Sequence, residues 1–484
     1  MADSPPLVVD LFCGAGGFAL GFHAAGCRII AAVDADALAA KSFRRNFALL
    51  QPDHPPRVFG DAGDGDLDRP DVDLDSFVGE ERPDILIGGP PCQAFSRLGR
   101  AKLNSLSDDG FRGDPRNALY RRFLTAVERW RPRAVVMENV PGMLSVGGNN
   151  YADVVCREMA ATGYRTGYAV LNSVWYGVPQ FRERLFFIGV RKDLGVRPAA
   201  PPTTFFADLP EGYSRAVREV PPLLPFGGEW EMELDQLPVP VASEQHPAVS
   251  VREALDDLPE LTDHLKAGPR RRGDFRRQLA YRSAPTSRYA ALMRSWPGFP
   301  FPTDVEDHAI RRTPRDYETF RRMKPGDRFP EALAIARTIR DEELMQLQAA
   351  GNSPDPGTQE WDEFEARFVP PYDEHDFPDK WRKLIPDRPS WTVPAHLAKD
   401  SYSHIHFDDA QARMISIREA ARLQSFPDSF LFAGNMGDCF RQIGNAVPPL
   451  LALAIADRLL QLLGVQSLPP RRLNLRQILR GSAS

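Results

Sequence analysis

The sequence predicts an α/β protein: a mostly parallel sheet covered by helices on both faces, followed by a second, smaller and irregular domain. Over the first 190 residues, short apolar runs alternate with segments of helical spacing, the pattern of strand–helix–strand units. From about Gly195 that rhythm stops and proline becomes dense, in Pro201-Pro202, Pro221-Pro222, Pro238 and Pro240. A chain of 484 residues also exceeds what one ordinary core organises, so two or more domains are expected.

Leu7-Val8-Val9-Asp10-Leu11-Phe12 is a buried strand, followed by a glycine turn and a helix over 17–25. A second strand over 28–34 leads to Asp36, whose carboxylate can cap a helix running to about residue 47. Asp84-Ile85-Leu86-Ile87 is a third strand-like run, and 117–130 has helical spacing. Ala134-Val135-Val136-Met137 is a strand ending at Glu138; 151–161 is a helix, and Leu185-Phe186-Phe187-Ile188-Gly189-Val190 a late strand. Residues 340–365, acidic and containing Gly351-Asn352-Ser353-Pro354-Asp355-Pro356-Gly357, are expected to be a mobile loop or insertion. Residues 450–463 are strongly apolar with helical length and are expected to pack back on the first domain. Ligands of such folds sit outside the carboxyl ends of the strands, where Asp10, Asp34, Pro91-Cys92 and Glu138 fall.

A net charge of -5 by itself argues against a nucleic-acid binder, but the average hides a split. Residues 61–81 are rich in aspartate. Residues 266–328 are rich in arginine, with Arg270-Arg271-Arg272, Arg276-Arg277, Arg311-Arg312 and Arg321-Arg322 among Phe275, Tyr281, Tyr289, Trp296, Tyr317 and Phe320. Local positive potential attracts phosphate whatever the total charge, so this stretch reads as a binding face rather than only a solvated one. No run of eighteen apolar residues and no signal-peptide core occur, so no membrane association and a cytoplasmic location are expected. The five cysteines are scattered, and His404-Ile405-His406 has no companion ligand at metal-binding spacing. No metal site is expected.

Chemistry concentrates in four segments. Gly88-Gly89-Pro90-Pro91-Cys92-Gln93-Ala94-Phe95-Ser96 holds one thiol in a backbone fixed by two glycines and two prolines, as suits a nucleophile, although a small buried residue in a tight turn has the same pattern. Asp10-Leu11-Phe12-Cys13-Gly14-Ala15-Gly16-Gly17-Phe18 is a strand, a glycine loop and a helix start. With Asp34, placed to accept ribose hydroxyls, and Gly60-Asp61, it fits an adenosine-containing cofactor, while a tight turn alone explains the glycines equally well. Glu138, at the end of an apolar strand, is partly desolvated, which raises a carboxyl pKa toward neutrality; a turn acid is the plain alternative. Gln180, Arg182 and Arg184 alternate in an extended segment and so share one face, able to hold a phosphate or a base carbonyl, or simply exposed on an edge strand.

Together these segments resemble the cytosine-5 DNA methyltransferase family. The likeness covers Asp10-Leu11-Phe12-x-Gly14-x-Gly16-Gly17, Pro90-Pro91-Cys92-Gln93-x-Phe95-Ser96, Glu138-Asn139-Val140 and Gln180-x-Arg182-x-Arg184. It continues through Arg418-Glu419-Ala420-Ala421-Arg422-Leu423-Gln424-Ser425-Phe426-Pro427 and Gln442-Ile443-Gly444-Asn445-Ala446-Val447-Pro448-Pro449. The resemblance implies a Rossmann-like S-adenosylmethionine-dependent methyltransferase sheet. In it, Cys92 attacks C6 of a flipped cytosine, Glu138 holds the N3 edge and supplies a proton, and Arg184, with Arg182 beside it, binds the base carbonyl. It also implies S-adenosylmethionine held by Phe12, Gly14, Ala15, Gly16, Gly17, Asp34, Asp61, Pro91, Leu119 and Asn445. Gln93, Ser96, Arg97 and Gln180 are the implied DNA contacts. Asp34 stands where the family usually has glutamate, Ala35 where a larger side chain often covers the adenine, and Ala62 where a bulkier apolar residue is common; these departures bear on cofactor affinity rather than identity.

The resemblance further implies a catalytic domain over 1–195 and 435–465, a target-recognition domain over 196–434 and a basic tail over 466–484. The expected partner of this monomer is double-stranded DNA, in a restriction-modification or phage-defence setting that allows a restriction or defence partner protein. A tRNA cytosine-5 methyltransferase and a non-catalytic DNA-binding protein on the same fold are the alternative readings.

Overall fold

The first nine elements of the computed structural model run β1 (Leu7–Leu11), α1 (Gly17–Ala24), β2 (Arg28–Val33), α2 (Ala37–Leu50), β3 (Arg57–Phe59), α3 (Asp75–Val78), β4 (Ile85–Gly88), α4 (Ala118–Trp130) and β5 (Ala134–Asn139). They continue with α5 (Tyr151–Ala161), β6 (Tyr164–Asn172), β7 (Glu183–Arg191), β8 (Thr203–Phe206) and β9 (Asp235–Gln236). The structure describes residues 4–60, 64–67, 72–91, 118–144, 150–210, 235–266, 278–373, 380–397 and 402–465. Among these, one sheet has the order β3-β2-β1-β4-β5-β7-β6-β9. Its left half is parallel, with Val8 paired to Ile85 and Leu86 to Val135. β7 is the exception, antiparallel to both β5 and β6.

The strands alternate between two cores, as a period of two requires. Val8, Ile85, Ile87, Val136, Phe186 and Ile188 face one cluster, covered by α1, α2 and the returning C-terminal helix. Val9, Leu11, Leu86, Val135, Met137 and Phe187 face the other, covered by α4 and α5. Burial on both faces explains why these strands read as continuous apolar runs. β3 and β6 gave no such signal. β3 is a three-residue, half-exposed edge, and β6 carries Arg165, Thr166 and Gly167 among its apolar residues.

The second region holds β10 (Val241–Pro247), α6 (Val251–Leu255), β11 (Leu279–Ala280), α7 (Arg288–Arg294), β12 (Asp304–Val305), α8 (Tyr317–Arg322), α9 (Phe329–Ala349) and α10 (Gln359–Ala366). Of the mobile loop or insertion expected over 340–365, the loop is corrected: the segment includes the second half of the 21-residue α9 and nearly all of α10. Phe329, Ala332, Leu333 and Ala336 anchor α9 in the core, leaving its acidic half outside. Tyr289, Trp296, Phe320 and Trp381 belong to the same continuous cluster as Val8 and Phe186.

Three last helices complete the chain: α11 (Ile417–Leu423), α12 (Met436–Asn445) and α13 (Pro449–Leu462). The most apolar 18-residue window within Met436–Leu462 has a mean hydropathy of 1.4 and is 72% buried inside the protein, so its apolar character serves the core. As expected, α13 packs on α1, and a Cβ at Gly21 would collide with Ala452, Leu453 and Pro449.

Candidate active site

The carboxyl ends of β1, β2, β4 and β5 and the start of β7 open onto one cavity of about 610 Å³. Strand order spreads its lining along a rim: Asp34 after β2, Asp10 and Phe12 at β1, Gly89-Pro90-Pro91 after β4, Glu138 on β5 and Arg184 on β7. Neighbouring strands lie ~4.8 Å apart, so the rim from Asp34 to Arg184 spans roughly 19 Å over four spacings.

Glu138 pairs in register with Phe186 across the antiparallel β5–β7 ladder. Arg184 is the diagonal neighbour on the same face, within reach of a long side chain. Its Nε lies 3.0 Å from Glu138 Oε1, and the two side chains are 18% and 14% exposed. Burial pushes the Glu138 carboxyl above its ordinary range, and the Arg184 and Arg182 guanidiniums pull it back. The other oxygen, Oε2, would lie 3.1 Å from a Cβ at Gly89, so glycine keeps that side of the carboxyl open. Asn139 Nδ2 donates to Pro90 O at 3.4 Å, and the Val140 amide donates to Asn139 Oδ1 at 2.8 Å. The Glu138-Asn139-Val140 segment therefore both presents the acid and holds the Pro90-Pro91 turn. Pro91 lines the cavity. Cys92, the next residue, lies outside the described residues, as do Gln93, Ser96, Arg97 and Asp61.

The glycine loop bends around the other half of the cavity. The Gly14 amide donates to Asp34 Oδ2 and the Asp36 amide to Asp34 Oδ1, each at 2.8 Å, so Asp34 ties the loop after β1 to the start of α2. Asp36 caps α2 through the amides of Leu38 and Ala39, as its position predicted. Gly16 turns the chain into α1 at φ 102°, a conformation costly for any residue with a Cβ. Phe12, which lines the cavity, adopts φ 60°, the kind of local strain that collects at binding loops. Phe12, Gly14, Asp34, Pro91, Leu119 and Asn445 all line the cavity. Ala15, Gly16 and Gly17 do not: Ala15 is buried, and a Cβ on Gly17 would collide with Val447 O. They shape the loop behind that lining.

Two expectations are corrected. Gln180 is fully buried: its Nε2 donates to Leu423 O at 3.0 Å and to Gln424 Oε1 at 2.6 Å, and its Oε1 accepts from the Val393 amide at 2.9 Å. It has no group to offer DNA. Arg182 is 1% exposed and donates to Gly444 O at 2.7 Å and to Val393 O and Ala446 O at 3.2 Å. Burial lowers its pKa, with the Arg184 charge adding to the effect. Its bonds hold the backbone on both sides of Asn445, so it is a positioning residue and not one that touches a substrate.

Asp10 is a site residue that sequence reasoning placed near the rim without giving it a role. It is buried and lines the cavity; its carboxylate oxygens face α1 without a hydrogen bond of normal geometry. Burial, with Asp34 nearby, drives its pKa well up. Aromatic and apolar walls, an acid beside the glycine loop and an amide at Asn445 suit a ligand that carries a nucleoside. The residues present therefore fit an adenosine-type methyl donor.

The model of the family described as C-5 cytosine-specific DNA methylase matches residues 7–461. The chain is 37% identical over 468 residues to M.OihORF3336P of Oceanobacillus iheyensis, which carries a provisional type II methyltransferase name, covering 93% of this chain and 95% of the relative. It is 33% identical over 475 residues to the type II methyltransferase M.AgeI of Thalassovita gelatinovora, covering 93% and 98%. The fold is similar to the crystal structure of a prophage-encoded E. coli protein of the DNA modification methyltransferase kind, with a TM-score of 0.60 and 21% identity over 95% of this chain and 99% of that one. With a family match spanning nearly its whole length and its α/β rim presenting Glu138 and Arg184, the chain belongs to the C-5 cytosine-specific DNA methylase family.

Proposed function

We propose that this enzyme transfers a methyl group from S-adenosylmethionine to C5 of cytosine at a specific site in double-stranded DNA, acting as the modification enzyme of a restriction-modification system. The observation that carries the reading is the Glu138–Arg184 pair at 3.0 Å, on the cavity that continues to Pro91, one residue before Cys92. Type II names among relatives that align along most of this chain support the biological setting. The arginine-bearing region within 196–434 is proposed to read the target.

A stacked cytosine exposes neither C5 nor C6 to such a rim, so the base must be flipped into it. The Cys92 thiolate adds to C6, forming the S–C6 bond and breaking the C5–C6 double bond. Electron density then reaches C5 and N3. Glu138, whose carboxyl burial raises above its ordinary range, donates to N3, and Arg184 donates hydrogen bonds to the base carbonyl. S-adenosylmethionine, when bound, supplies an electrophilic methyl group. Loss of the C5 proton to a base, return of the N3 proton to the Glu138 carboxylate and departure of the thiolate from C6 then restore the aromatic ring. An ordinary thiol with pKa near 8.5 is only a few per cent ionised at neutral pH, so the site must also stabilise the Cys92 anion.

Tritium from methyl-labelled S-adenosylmethionine should appear in cytosine of mixed-sequence duplex DNA. Duplex carrying 5-fluorocytosine at the target should trap a covalent complex, because fluorine cannot leave as a cation. Cys92→Ala should remove both signals while the protein still binds S-adenosylhomocysteine. Labelling of tRNA instead of DNA, or a trapped complex with the alanine variant, would refute the assignment.

A further inference from the structure

We infer that the guanidinium of Arg441 covers the nucleobase of the methyl donor, supplying the planar lid that Ala35 is too small to provide. The inference rests on the cofactor reading above. The reacting end of the cavity is fixed by Pro91, Glu138 and Arg184. The donor's nucleoside then occupies the opposite end, where Asp34 closes β2 and can accept from ribose hydroxyls. A flat base there needs a surface on each face. Leu67, 2% exposed, forms part of the cavity wall. Ala35 is exposed and ends at its Cβ.

Arg441 reaches the same cavity from α12. Its terminal nitrogens lie 3.1 Å from Asp36 Oδ2 and 3.1 Å from Asp438 Oδ1. Asp36 follows Ala35 directly, so one of these contacts anchors the guanidinium at the gap that Ala35 leaves. Carboxylates on two different helices hold the group in place, and the side chain remains 45% exposed, so it is not consumed by packing. A guanidinium is planar, weakly hydrated and a good stacking partner for π systems, whereas an ammonium is a point charge.

The test is calorimetric titration of the full-length protein with two ligands, S-adenosylhomocysteine and S-ribosylhomocysteine, the second lacking the base. Arg441→Ala should weaken S-adenosylhomocysteine about fivefold, the size of a partly exposed cation–π contact, and should leave S-ribosylhomocysteine within about twofold of wild type. Arg441→Lys, which keeps the charge beside Asp36 and Asp438 but not the plane, should behave like the alanine variant. Equal loss for both ligands would show a merely structural role and overturn the inference. So would unchanged S-adenosylhomocysteine binding in Arg441→Ala, or full recovery in Arg441→Lys. Failure of the wild-type protein to bind S-adenosylhomocysteine would instead remove the cofactor reading, and this inference with it.

Discussion

Replacing Arg182 by methionine isolates the difference between a residue that builds the site and one that works in it. The guanidinium makes three hydrogen bonds to buried backbone oxygens. Ala446 O keeps a second donor, Gln424 Nε2 at 2.8 Å, so the loss falls mainly on Val393 O and Gly444 O. Each buried carbonyl left without its donor costs about 1–3 kcal/mol. Against this, Arg182 Nε is itself buried without a partner, and removing a desolvated cation recovers part of the penalty. The expected net destabilisation is about 2–4 kcal/mol, read as a shift in urea midpoint at unchanged slope. Because Gly444 O and Ala446 O, on either side of Asn445, both lose the Arg182 bond, affinity for S-adenosylhomocysteine should fall as well, while Cys92 and Glu138 chemistry persists at saturating cofactor. A variant as stable as wild type with undiminished cofactor affinity would refute the idea that this buried arginine holds the 444–446 turn.

Gly89→Ala places a Cβ 3.1 Å from Glu138 Oε2; single-turnover methylation should slow by at least about tenfold while the unfolding midpoint stays within the range of a tolerated substitution, which stopped-flow transfer and denaturation can check together. Arg184→Ala removes a charge that lowers the Glu138 pKa, so the basic limb of the pH–rate profile should move to higher pH while the maximal rate falls by roughly 10²-fold; a limb that moves down would contradict proton donation by Glu138. Burial depresses His308 to about 4 and His404 and His406 to about 3, from an ordinary 6.5. For depressed bases the unfolded chain takes up protons first, so stability is intact above pH 6.5 and declines as pH falls toward 4, by up to about 2 kcal/mol per histidine at pH 5; urea midpoints at pH 7.5 and 5 measure it, and His404→Gln should flatten the slope.

The elements that reach the rim were legible because their physics is local. β1, β4 and β5 are buried on both faces and so are written as apolar runs, and Asp36 marks the start of α2 by its capping chemistry alone. β6 hid because exposed Arg165 and buried Thr166 and Gly167 interrupt its apolar run, and α9 hid because only its first two turns enter the core. The site divides in the same way. Glu138 and Arg184 stand at a strand end and a strand start, where their residue types could be read, but their 3.0 Å pairing comes from the antiparallel β5–β7 ladder. Gln180 and Arg182 belong to the same alternating run as Arg184, yet they bond to backbone more than 200 residues away. A sequence shows that a donor is present. Whether a ligand or a distant carbonyl accepts from it depends on packing that no local pattern encodes.

That distant bonding has a consequence for how the cavity comes to exist. The β1 loop, Asp34 and the Pro90-Pro91 turn arise from the first part of the chain, but Asn445, Ala446 and Val447 complete the lining and reach it only after the whole second region has been traversed. They are fixed there by Arg182, by Gln424, which donates to Ile443 O at 3.0 Å and to Ala446 O, and by Gln180, which in turn holds Gln424. Gly17 leaves room for Val447 O against α1. The cofactor half of the site is thus closed by a long-range hydrogen-bond network, whereas the Glu138–Arg184 half depends on adjacent strands β5 and β7. Mild destabilisation should therefore open the cofactor half first. Hydrogen exchange at the amides of 443–447 should accelerate under sub-denaturing urea before exchange at Phe186 or Ile188 does, and S-adenosylhomocysteine should suppress that difference; simultaneous exchange of both groups, with or without ligand, would show that the cavity forms and opens as one cooperative unit.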